Sequence, residues 1–193
     1  YATGFKETGT TYWTAPNTWA TNAFEFNGRG AGWRDSDGDF LNISERLIML
    51  TTASSGDNTT AYFMQYDASA FNFASYPKKS GASIRLLKVS TSLSDGETGT
   101  YIGNDGKTYR TICIGSQEWL ADNLAETKYR DGTPIPEVTG AAAWAALTTG
   151  GLCAYNNDWA NAFITQSGNV RPKLMFIGAG IDNNLILSKS AIL

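Results

Sequence analysis

The sequence predicts a β-rich α+β fold with short helices and long loops. Three observations lead there. Apolar runs are short and alternate, glycine stands at 20 of 193 positions, and only one stretch has the composition of a stable helix. Hydrophobic residues make up 42% of the chain, enough for a core, while charged residues are only 17%, below the usual quarter.

The elements follow in order. Residues 1–34 alternate turn signals with the aromatics Tyr12, Trp13, Trp19, Phe24, Phe26 and Trp33. The run GRGAGWRDSDGDF places glycines at 28, 30, 32 and 38 and predicts irregular chain with tight turns. ISERLIMLTT, residues 43–52, is short and apolar, as a buried strand is. AYFMQYDA (61–68) sets Tyr62, Met64 and Tyr66 at every second position, and FNFASY (71–76) repeats the pattern with Phe71 and Phe73. These two runs predict a hairpin. SIRLLKVS, 83–90, predicts another strand.

TSLSDGETGT, residues 91–100, is small and polar and predicts a linker. Beyond it, GTYIGNDGKTYRTICIG predicts a hairpin turning at Asn104-Asp105-Gly106, since Asp-Gly tolerates positive φ. WLADNLAE, 119–126, predicts a helical turn or two, with Leu120 and Leu124 four apart on one face. AAAWAALTTG, 141–150, is the best helix candidate, Ala-rich and stopped by Gly150. LMFIGAG (174–180) and NLILSKSAIL (184–193) predict two closing strands.

Composition narrows function. The net charge of −3 argues against a nucleic-acid surface. The absence of histidine removes the commonest general base and metal ligand. No apolar window is long enough to predict insertion into a membrane. The chain opens on Tyr1 without a Met or a signal-like run, so we expect a piece of something longer. Cys113 and Cys153 fit either one disulfide or two buried thiols.

Several motifs invite a chemical reading. Asp35-Ser36-Asp37-Gly38-Asp39 resembles the start of a calcium loop, with Asp35, Asp37 and Asp39 as ligands. The EF-hand pattern wants Gly sixth and Glu twelfth, whereas here Gly38 is fourth and Arg46 twelfth, so a surface turn is the plainer expectation. No cofactor other than calcium is suggested. The glutamates are scattered without a paired dyad, and Cys113 has no histidine partner, so no enzyme is expected.

Two sets of segments carry a resemblance. GNDGKTYRTICIGSQEWLADNL, KYRDGTPIP and AAWAALTTGGLCAYNND resemble the front half of the Fibrobacter succinogenes major paralogous domain. GFKETGTTYWTAPNTWATN, GRGAGWRDSDGDF and GASIRLLKVS resemble the back half of the same domain. Residues 1–90 would then be a back half, 91–100 a linker, 101–163 a front half, and 164–193 a C-terminal β-rich tail. The order is inverted, and the family's middle segment is missing from both copies. LIMLTT, 47–52, also replaces an aromatic strand common in the family.

The resemblance implies a C-type-lectin-like mixed scaffold and a non-enzymatic recognition or adhesion module, extracellular, on a bacterial surface or a virion such as a tail fibre. The implied partner is a surface glycan or protein. On such a scaffold the strands and loops of residues 40–76 form the display face, with Asn42, Ser44, Glu45, Arg46, Tyr62, Gln65, Tyr66, Asn72 and Tyr76 as the candidate ligand-binding residues. The rival reading is a structural virion, fibre or filament subunit that contacts copies of itself or a neighbour, with the apolar tail docking into a partner.

Overall fold

A computed structural model describes residues 1–88 and 90–161, together with strand segments 163–166, 169–172 and 176–178. Its framework is β-sheet joined by long irregular stretches. Five strands form the first sheet: β1 (Ala31–Arg34), β2 (Phe40–Ile43), β3 (Arg46–Ser55), β4 (Asn58–Gln65) and β5 (Asn72–Pro77). Their spatial order is β2-β1-β3-β4-β5, antiparallel except where β1 meets β3. The hairpin expected from residues 61–76 is β4–β5, with Tyr62 opposite Phe73.

The second sheet has four strands: β6 (Leu87–Lys88), β7 (Thr98–Ile102), β8 (Thr108–Ile114) and β9 (Gln117–Leu120), in the order β6-β9-β8-β7. The β7–β8 hairpin turns at Asn104-Asp105-Gly106, where Gly106 takes φ +85. The strand expected over 83–90 is reduced to β6, because Ser83 bridges to Met49 of the first sheet instead. Residues 98–100 already belong to β7, so only the earlier part of the 91–100 stretch is irregular. Even that part is tied down: Gly96 N–H donates to Cys113 O, and Thr91 Oγ1 donates to Glu118.

One expected element is absent. Residues 121–126 form no helix; the chain leaves β9 and runs irregularly. The backbone explains it. Leu120 N–H donates to Leu86 O, Ala121 N–H to Arg110 O and Leu124 N–H to Ile84 O. Each bond goes to a neighbouring segment, so the donors that a helix would use four residues back are already engaged. Leu120 and Leu124 are both buried, as a helical face would also have made them.

The helix α1 covers Ala141–Ala145, the first half of its expected span. Trp144 is buried on it. Gly38 explains how α1 seats on the first sheet. It has φ +97, and a Cβ there would lie 2.5 Å from Ala141 Cα. Strand β10 (Gly151–Cys153) follows and pairs with β13 (Phe176–Gly178), while β11 (Phe163–Gln166) pairs with β12 (Asn169–Pro172). The closing strand expected over 174–180 is thus present at its centre, and residues 184–193 lie outside the described residues.

The main core draws on both sides of the 91–100 stretch. Trp13, Phe26, Leu47 and Met64 pack with Trp144, Cys153 and Tyr155. A smaller core joins Leu86 to Tyr109, Leu120, Leu124 and Leu152. Two arginines, Arg34 buried and Arg85 half-buried, fasten the same joint. Arg85 donates to the carbonyls of Phe26, Asn27 and Leu120 and to Asn123 Oδ1. Arg34 donates to Gly38, Val138 and Thr139 carbonyls. Such largely enclosed charges are tolerable because their donors are taken up by carbonyl oxygens. Both cysteines are free and buried, which selects the thiol alternative over the disulfide.

Candidate functional site

The first sheet has two unlike faces. Strand alternation and register place Leu47, Met49, Met64, Tyr62 and Phe73 on one face, over the main core and its margin. They place Arg46, Ile48, Leu50, Ala61, Phe63, Gln65, Asn72, Ala74 and Tyr76 on the other. That second, outer face carries its own cluster of Ile48, Ala61, Tyr76 and Ala82, flanked by Trp33 and Phe63. Among the described residues, every member comes from the sheet or from the segment beside it.

Five of the candidate residues fall in two groups beside this cluster, three around Phe63 and two at Trp33. Arg46 is paired with Gln65 across β3 and β4, and its guanidinium lies 5.4 Å from the Phe63 ring centre. Asn72 stands opposite Phe63 on β5 and donates a long 3.5 Å bond to Gln65 Oε1. Asn42 donates to Glu45 Oε2 at 2.8 Å and accepts from Trp33 Nε1 at 3.2 Å. The result is a mixed strip: one cation over an aromatic ring, one carboxylate, three amides and an indole. Such a surface offers both donors and acceptors beside apolar contact area, at little cost in side-chain entropy.

The turn between β2 and β3 holds this end in place. Asn42 and Ser44 both have positive φ, +58 and +59, which asparagine tolerates better than most residues. Ser44 acts through its backbone: its N–H donates to Gly30 O, and its carbonyl accepts from Thr14. Tyr66 also contributes backbone, donating to Glu45 O and accepting from Thr18, while its ring packs against the main core.

Two candidates lie elsewhere. Tyr76 is only 8% exposed and packs edge-on to Trp33, with ring centres 4.9 Å apart. It supports the face from beneath rather than lining it. Tyr62 is 47% exposed on the opposite face, beside Phe73 at 73%, so the sheet itself separates it from Arg46 and Asn72.

Asp35 Oδ1 accepts the N–H groups of Asp37 and Asp39, which closes its turn. Asp37 and Asp39 are exposed. Among the described residues, no three His, Cys, Asp or Glu side chains converge in a way that would hold a metal.

Three residues at this end were not among the candidates. Trp33 and Phe63 form its apolar floor. Period-2 alternation carries the signal for Phe63, since choosing the Tyr62 face hides it. Trp19 lies on a loop whose neighbour Thr18 donates to Tyr66 O at 2.7 Å. Its signal was a large apolar residue in a run otherwise rich in Thr and Asn.

No protein-family model matches the chain, and neither a curated protein nor a solved structure matches it significantly. Among the described residues, no helix is long and apolar enough to cross a membrane.

Proposed function

We propose that this chain is a non-enzymatic recognition or adhesion module of C-type-lectin-like type, built from a back half and a front half of the paralogous domain it resembles. It works outside the cell, on a bacterial surface or virion, and binds a surface glycan or protein. The observation that carries this reading is the gathering of Arg46, Gln65 and Asn72 around Phe63, with the hydrogen-bonded Asn42–Glu45 pair at Trp33, which flanks the same apolar cluster. Polar groups held by mutual hydrogen bonds on a rigid sheet are pre-organised for contact, which lowers the entropic cost of binding.

The test is binding of labelled protein to a panel of bacterial surfaces. Wild type should bind at least one, and Arg46→Ala combined with Asn72→Ala should weaken that binding by about tenfold or more. A folded protein that binds none of them ends the reading.

A second reading, a structural subunit of a virion, fibre or filament, is favoured by strand β5. It lies at the sheet edge with Phe73 73% exposed. Exposed apolar edges are templates for pairing with another chain. Light scattering separates the two: a defined oligomer that Phe73→Lys dissolves supports the structural reading, and a monomer supports the module.

A further inference from the structure

Residues 10–24, TTYWTAPNTWATNAF, carry no Asp, Glu, Lys or Arg. Within this run Trp19 is 74% exposed and has φ +51. Both facts run against the grain of an indole. A large ring gains by burial, and a bulky residue in the left-handed region is a genuine outlier. Such a conformation persists only when surrounding bonds over-determine it.

Those bonds are present on both sides. Thr18 N–H donates to Tyr66 O at 2.7 Å, Ala20 N–H to Asn17 O at 3.2 Å and Thr21 N–H to Thr3 O at 2.9 Å. The buried Asn17 amide donates to the carbonyls of Glu7 and Gly9. The loop is thus fixed, and it presents the indole to solvent. It also joins the end of the sheet described above, since Thr14 N–H donates to Ser44 O.

We infer that Trp19 is the stacking residue of a subsite for a neutral carbohydrate, an inference that rests on reading the chain as a recognition module. The chemistry of the loop selects this ligand class. A pyranose presents an apolar C–H face and a rim of hydroxyls. The indole offers the matching apolar plane, and the adjacent Thr18 and the exposed Thr14 of the same run offer uncharged hydrogen-bonding groups. The lack of charge in the run disfavours an acidic or basic ligand. A protein partner would need a broad apolar patch of several hundred Å² on this side, whereas the large exposed apolar side chains of residues 10–24 are Trp19 and the less exposed Phe24, at 42%.

Native affinity electrophoresis in gels containing a β-glucan, a mannan or an arabinoxylan tests the assignment, with alginate as the charged contrast. At least one neutral polysaccharide should retard the wild type, with little dependence on salt. Trp19→Ala should lose about tenfold or more in apparent affinity, while Trp19→Phe keeps most of it. Near-UV circular dichroism should show both variants folded. Retardation only by alginate, no retardation at all, or equal retardation of wild type and Trp19→Ala overturns the assignment.

Surface binding separates this failure from failure of the module. If wild type binds a bacterial surface, the Arg46→Ala, Asn72→Ala variant does not, and Trp19→Ala binds unchanged, the module stands and the sugar subsite falls. If Trp19→Ala and periodate oxidation of the surface glycans each abolish binding, the subsite stands.

Discussion

The guanidinium of Arg34 lies 4.4 Å from the ring centre of Trp144 and 4.6 Å from that of Phe40, sandwiched between them. Strand β1 and helix α1, more than a hundred residues apart, are joined through this stack. Removing the guanidinium strands the carbonyls of Gly38, Val138 and Thr139 that it serves. Arg34→Met should therefore cost about 2–4 kcal/mol in denaturant unfolding. Arg34→Lys should recover only part of that, because one ammonium cannot reproduce a planar fork.

Trp19 stores backbone strain in an exposed position. Trp19→Gly removes the Cβ that makes φ +51 costly and gives up little packing. Stability should rise by about 1 kcal/mol, read as a higher denaturant midpoint with unchanged slope. Glycan binding should fall in the same variant, separating stability from function at a single residue.

Glu126 is buried beside the β7–β8 turn. Burial, then the nearby Asp105 carboxylate, pushes its carboxyl above the usual range. Burial also pushes Asp105 up, but bonds from Lys107 and Thr127 outweigh it and hold that carboxyl below its usual value. For Glu126 the native state binds the proton more tightly than the unfolded chain. Its ionisation thus lowers stability as pH rises from the unfolded pKa through the folded one. Glu126→Gln should be more stable than wild type at pH 7–8, with the difference shrinking as pH falls through the raised folded pKa and gone below about 4.3. Melting curves across this range decide the sign.

The thiols offer a chemical check. Burial pushes the Cys153 thiol up to about 11, against the opposing influence of Arg34, and burial raises Cys113 as well. Neither thiolate forms readily near pH 7, and both sulfurs are covered. Native protein should be inert to a thiol reagent, while denatured protein should label at both cysteines without prior reduction. Labelling that needs a reductant would indicate a disulfide.

Much of the fold was legible in the sequence where a local rule sufficed. Asp105-Gly106 set a turn, and the alternation from Ala61 to Tyr76 set a hairpin, because positive φ and period-2 burial depend on a few adjacent residues. The helix expected at 119–126 failed for the opposite reason. Leu120 and Leu124 are buried, but their N–H groups bond to Leu86 and Ile84, far off in the chain.

The site divides the same way. Residue type nominated Asn42, Glu45, Arg46, Gln65 and Asn72; the register of β3, β4 and β5 gathers Arg46, Gln65 and Asn72, and the β2–β3 turn brings Asn42 to Glu45. That same register sends Tyr62 to the far face, and the packing of Trp33 covers Tyr76.

By itself the sequence determined the β-rich class, the hairpin turns and the lack of histidine chemistry, since composition and short-range patterning carry those directly. Tertiary structure decided which face each strand presents, that residues on both sides of 91–100 share one core, and that Trp19 points to solvent. Those outcomes depend on hydrogen bonds and packing between residues tens of positions apart, whose pairing no local pattern encodes.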